Sequence, residues 1–185
     1  GAGHFSLPQL RAVTQQLYKY DRALDLLVPK SRRIAGNDNQ FIFSNRGNKH
    51  WGKRGGYTNA QLNGALAHAS KLQLVQWTNP NYSARFVLSL RRMVRDDCKR
   101  PIKPAAQTIE FRQQVATADD TEILSWMQLL ATFLRQAATL PPPPTAPDNM
   151  EAPALLQDML ANLLQDPHFL QKNSGAVMAL ADRGD

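Results

Sequence analysis

Cysteine is nearly missing from this chain: Cys98 stands alone among 185 residues. That excludes an internal disulfide, and without a Cys/His cluster there is no metal framework to hold a small fold together. The expected setting is a reducing one, cytoplasmic or nuclear. Long hydrophobic runs are missing as well. No stretch approaches the roughly 20 apolar residues that cross a bilayer, so no membrane partner is expected. The opening Gly1-Ala2-Gly3-His4 lacks both the basic start and the apolar centre of a secretion signal. It stands where an initiator methionine is usual and reads as a vector remnant, which leaves room for a longer parent protein. Residues 1–4 are therefore left out of the reasoning on fold.

Carboxylates are scarce in the first 104 residues, where Asp21, Asp25, Asp38, Asp96 and Asp97 are the only ones. The same stretch holds 18 Lys and Arg against those 5, whereas residues 105–185 hold 4 against 10; together these are the 22 and 15 behind a net charge of +7. A basic half beside an acidic half is the footprint of a protein that holds a polyanion at one end. Catalytic groups are equally sparse. The four histidines, His4, His50, His68 and His168, are scattered, and Asp96-Asp97 beside Cys98 has no partnered histidine nearby. General acid–base and nucleophilic chemistry need such partners within hydrogen-bond reach. No enzymatic activity, metal or cofactor is expected.

What the chain does contain is enough to fold. Hydrophobic residues make up 43% of it, with three Trp, seven Phe and four Tyr, which suffices for a packed interior at this length. Leu10, Val13, Leu17, Leu24 and Leu27 recur at helical spacing between Pro8 and Val28. Pro29 ends that helix, and Gln40-Phe41-Ile42-Phe43-Ser44 reads as a short strand. A glycine-rich basic loop follows from Asn45 to Gly56. Leu62, Ala65, Leu66, Ala69 and Leu72 then place one apolar face on a helix over 58–72, capped by Thr58 or Asn59. Leu74 to Thr78, the turn Asn79-Pro80-Asn81 and the alternating stretch Tyr82 to Leu90 read as two strands and their connection.

Beyond a basic connector from Arg91 to Lys103, Asp119-Asp120-Thr121-Glu122 supplies capping oxygens for a helix to about Leu140. Pro141 to Pro147 is a stiff spacer. Leu155, Leu156, Met159, Leu160, Leu163 and Leu164 mark another amphipathic helix, stopped at Asp166-Pro167, and 176–181 reads as a short helical piece.

The helix-then-hairpin unit from Tyr57 to Leu90 resembles the second half of a winged-helix DNA-binding domain, with Gly56-Tyr57 as entry strand and Arg85 on the wing. The resemblance implies an α+β fold: a basic winged-helix-like domain over 5–104, a linker over 105–118, and an acidic all-helical region over 119–185 with its spacer at 141–147. It also implies that double-stranded DNA is preferred over RNA.

Two segments are expected to grip phosphates: Arg46, Lys49, Lys53 and Arg54 in the loop, and Arg91, Arg92, Arg95, Lys99, Arg100 and Lys103 in the connector. Trp51 is placed to stack on a base or to shield arginine stems. The loop lacks the Lys-Ser/Thr ending of a phosphate-cradling nucleotide loop. Asn63 and Lys71, with Arg85, are expected to face the groove, from a helix side whose other residues, Ala60, Gly64 and Ala67, are small. Such a small side equally suits packing against another helix of the same protein.

In the acidic region Trp126, Leu130, Phe133, Leu156, Leu160 and Leu163 are expected either to form core or to bind a protein partner or a second copy of the chain. The function expected is non-catalytic nucleic-acid binding, regulatory or structural. One rival is an adaptor whose basic surface binds an acidic protein, and another is an RNA- or single-strand-binding component.

Overall fold

The computed structural model describes residues 5–29, 33, 44–45, 57–80, 88–90, 93, 108–112, 119–139, 147 and 149–166. Helix α1 spans Leu7–Leu26 and begins at a capping box. Ser6 Oγ accepts from the Gln9 amide at 3.4 Å, and the Gln9 side chain accepts from the Ser6 amide at 2.9 Å. Pro8 sits in the first turn, where its missing N–H leaves no bond unmade. The Ser/Thr-x-x-Gln pattern recurs twice. Thr58 and Gln61 open α2, Asn59–His68, and Ser70 and Gln73 open α3, Lys71–Thr78. Helix α4 covers Asp120–Thr139 and α5 covers Ala152–Leu163. Two short strands, β1 at Leu88–Ser89 and β2 at Glu110–Phe111, pair antiparallel with Leu88 opposite Phe111.

This architecture overturns the α+β, winged-helix-like expectation. Residues 74–78 belong to a helix, so no hairpin runs from there to Leu90, and β1 pairs with a strand from beyond the basic connector. The cause is local. Ser70 is extended, with ψ 164°, and its hydroxyl and Gln73 form the reciprocal cap that starts a new helix. The buried Leu74, Val75 and Thr78 then follow helical spacing. The single helix foreseen over 58–72 is accordingly two helices, broken at Ala69-Ser70. The strand expected at 40–44 and the helix expected at 176–181 lie, except for Ser44, outside the described residues.

Helix α1 is the hub, packing against α2, α3, α4 and α5. Its predicted apolar positions Leu10, Val13, Leu17, Leu24 and Leu27 are all buried. So are Thr14, Gln15, Tyr18, Tyr20, Asp21 and Asp25, because neighbours close around almost its whole circumference. From the acidic half, Trp126, Leu129 and Phe133 of α4 and Leu155, Met159 and Leu163 of α5 join the same cluster. Tyr20 meets Phe133 edge to face at 6.3 Å between ring centroids, a favoured aromatic geometry. Buried side chains from both sides of the charge boundary thus form one core.

A polar clasp ties α5 to α1. Tyr20 donates its hydroxyl proton to Asp158 at 2.7 Å and accepts from Asn162 at 2.8 Å, while Lys19 reaches Asp158 at 2.8 Å. Burial, reinforced by the adjacent Asp158 carboxylate, pushes the Tyr20 hydroxyl pKa well above its ordinary value. Among the described residues no helix is long and apolar enough to cross a membrane.

Candidate nucleic-acid interface

Most side chains with an expected phosphate, stacking or groove role fall outside the described residues: Arg46, Lys49, Trp51, Lys53, Arg54, Arg85, Arg91, Arg92, Arg95, Lys99, Arg100 and Lys103. What the structure does define is where the two basic segments attach. Asn45, the residue before Arg46, is fully buried. Its side-chain amide donates to the Thr78 carbonyl at 2.9 Å and the Leu88 carbonyl at 3.0 Å, and accepts from the Leu88 amide at 2.8 Å. Its own carbonyl accepts from the Tyr18 hydroxyl at 3.2 Å.

Asn79, equally buried, completes the arrangement. Its amide donates to the Leu88 carbonyl at 2.9 Å and accepts from the Leu90 amide at 2.7 Å. The two asparagines act as a side-chain substitute for a neighbouring strand along 88–90, satisfying main-chain groups that burial would otherwise leave unpaired. Leu90 immediately precedes Arg91, and one peptide separates consecutive Cα atoms by about 3.8 Å. The glycine-rich loop and the basic connector therefore start beside one junction, and Met93, within the connector, is 2% exposed and still belongs to the core. The far end of the loop is held as well, since Tyr57 leads into the Thr58 cap of α2.

Asn63 and Lys71 are the predicted groove residues that the structure describes. Asn63 is half-buried on α2, where its carbonyl accepts from Gln15 of α1 at 3.0 Å. Lys71 is the first residue of α3 rather than the end of the same helix, so the two do not share one helical face. The Lys71 side chain is half-buried, with neither a hydrogen bond nor an ion pair to the described residues. The small-residue side of α2 divides. Ala60 and Gly64 are exposed, and a Cβ added at Gly64 would meet nothing within 4 Å. Ala67 instead lines an open cleft of about 290 Å³ with Pro8, Arg11, Gln15 and Ala138.

Other cations of the basic half hold the fold. Arg11 donates to the Ala69 carbonyl at 2.7 Å and the His68 carbonyl at 3.4 Å, closing the end of α2. Arg33 donates to the Val28 and Leu26 carbonyls at 3.1 and 3.3 Å, closing the end of α1, and Arg22 donates to the Met150 carbonyl at 2.6 Å. A guanidinium suits this work because it stays charged and presents several donors at a helix end rich in free carbonyls. Among the described residues, the one ion pair joining the basic half to the acidic half is Lys19–Asp158.

The residues expected to bind a protein partner divide by depth. Trp126, Phe133 and Leu163 are buried at 5%, 3% and 1% exposure, and Leu130, Leu156 and Leu160 pack half-buried against the same cluster. The first three hold α4 and α5 to α1 and present nothing to a partner. The exposed apolar side chains of α4 are Ile123, Leu124 and Met127. Sequence reasoning put none of these three among the expected partner contacts, and it missed the organising role of Asn45 and Asn79, which read there as residues of loops and turns. Among the described residues, no group of three or more His, Cys, Asp and Glu stands together as a metal site. Comparison with protein-family models, curated proteins and solved structures found no match to this chain.

Proposed function

We propose that this protein binds nucleic acid without catalysis, gripping phosphates through the Arg46 to Arg54 loop and the Arg91 to Lys103 connector. The observation that carries the reading is the shared junction: Asn45 and Leu88 are joined by side-chain hydrogen bonds of 2.8 and 3.0 Å. Two cation-rich segments that start from one point act on one stretch of polyanion, and their counterion release adds. Of the described cations outside these two segments, Arg11 and Arg33 donate to helix-end carbonyls and Arg22 to the Met150 carbonyl, which commits all three to the fold. The acidic half contributes core and, on its outer side, a surface for assembly.

The test is a mobility shift with a random duplex of about 30 base pairs at about 50 mM salt, where a surface of ten cations holds DNA readily. Retention that weakens steeply with added salt supports the reading. Failure to bind either duplex or single strands at that salt overturns it. Replacing Arg91, Arg92 and Arg95 by Gln together is expected to weaken duplex binding at least about tenfold and to reduce the salt slope by about 3.

A further inference from the structure

Helix α4 has two apolar faces, and the core uses only one. Trp126, Leu129, Phe133 and Ala137 turn inward. On the opposite side Asp120, Leu124, Met127, Ala131 and Leu134 succeed one another at steps of four, three, four and three residues, the spacing of a coiled-coil seam. Leu124 is 55% exposed and Met127 60%, Asp120 and Ala131 are exposed, and Leu134 is half-buried. Ile123, at 38% exposure, and the half-buried Leu130 flank the row. Arg135 closes the far end with its side chain 45% exposed. The row therefore reads acid, large apolar, large apolar, small, large apolar, with a cation beside its far end.

We propose that this row is the contact with a second copy of the chain, the two α4 helices running antiparallel about a two-fold axis near Met127. The pattern is self-complementary in that arrangement alone. Asp120 of one copy lies at the level of Arg135 of the other, Leu124 lies over the small Ala131, and Ile123 meets Leu130, each contact made twice as a two-fold requires. A parallel pair would stack Asp120 on Asp120 and bring both acidic first turns, Asp119 to Glu122, side by side. Antiparallel helices also set their dipoles in opposition, so that the acidic N-terminal turns face the opposite helix ends. Arg135 already reaches Asp166 through Nε at 2.9 Å and Thr132 through one terminal nitrogen at 3.2 Å. The remaining terminal nitrogen is the group that meets the second copy's carboxylate.

This inference rests on the assembly part of the proposed function and is separable from the nucleic-acid part, because it is read from mass without DNA. Sedimentation equilibrium of the full chain is expected to show a monomer–dimer equilibrium. Leu124→Glu with Met127→Glu is expected to weaken the dimer at least about tenfold while leaving the helical circular dichroism intact, since both side chains face outward. Asp120→Arg, which sets like charges at both ends of the contact, is expected to weaken it too.

A chain that stays monomeric to about 200 μM overturns the proposal. So does a Leu124→Glu/Met127→Glu variant that dimerises like the parent. Stronger association in Asp120→Asn overturns the antiparallel arrangement, because loss of that charge relieves only a parallel pair with Asp120 stacked on Asp120. A monomer that still retains duplex DNA removes the dimer and leaves nucleic-acid binding standing.

Discussion

Asn45 and Asn79 carry more structural consequence than their small size suggests, because each satisfies main-chain groups on a segment remote in sequence. Asn45→Leu keeps the approximate volume but strands the Leu88 amide and the Thr78 carbonyl in a dry interior, at about 1–3 kcal/mol for each group left unpaired. A loss of about 3 kcal/mol in urea unfolding is expected, and a loss under about 1 kcal/mol would show that water replaces the amide. Nearby, the Thr78 hydroxyl is fully buried and has no hydrogen-bond partner among the described residues. Thr78→Val removes that desolvated oxygen, so an unchanged or higher melting temperature is expected. Asp158 gives a pH signature. Burial acts to raise its pKa, but the hydrogen bonds from Lys19 and Tyr20 and the Lys19 charge outweigh burial and hold it below the usual carboxylate range. Its stabilisation is therefore complete above about pH 4 and is lost as pH falls through the native value. Asp158→Asn should lower stability at neutral pH, with the gap to the parent closing in acid. A gap that stays constant from pH 7 to pH 2 would contradict this account.

Among the elements, α1, α4 and α5 were legible because each repeats its apolar residues over several turns, long enough for the helical period to stand out. Helix α3 was not. Its apolar positions fall within Leu74 to Thr78, a run short enough to fit a strand, and the deciding signal was the Ser70-Lys71-Leu72-Gln73 cap immediately before it. That signal is polar and local, so it is lost in a reading led by hydrophobic pattern. Ser70→Ala is expected to cost about 1 kcal/mol, and Ser6→Ala a similar amount at α1; a neutral Ser70→Ala would mean that packing of Leu74 and Val75 alone sets the helix start. The charge split pointed to the segments proposed to bind, yet composition does not distinguish an arginine that closes a helix from one left to face a phosphate. Arg11 and Arg33 belong to the first kind. On α4 the apolar residues were visible, but which of them faced inward depended on the position of α1.

For the whole molecule, the shared core predicts that the basic half depends on the acidic half for its fold. Cutting the chain after Thr139 removes Leu155, Met159 and Leu163, each 1% exposed, and opens the flank of α1 that carries Tyr20. Losing three buried large side chains costs several kcal/mol, about 2–5 for each by analogy with truncation to alanine, which exceeds the stability of many domains of this size. The truncated chain is expected to lose its cooperative thermal transition, and a sharp transition retained by residues 5–139 would contradict the shared core. The order of synthesis sharpens the point. Helix α1 leaves the ribosome well before α5, which covers one of its flanks and ends at Leu163. At about 5–20 residues per second, roughly 7 to 27 seconds separate their emergence. Throughout that interval the nascent hub carries uncovered leucines and tyrosines, making the growing chain a client for ribosome-associated chaperones until its last described helix arrives.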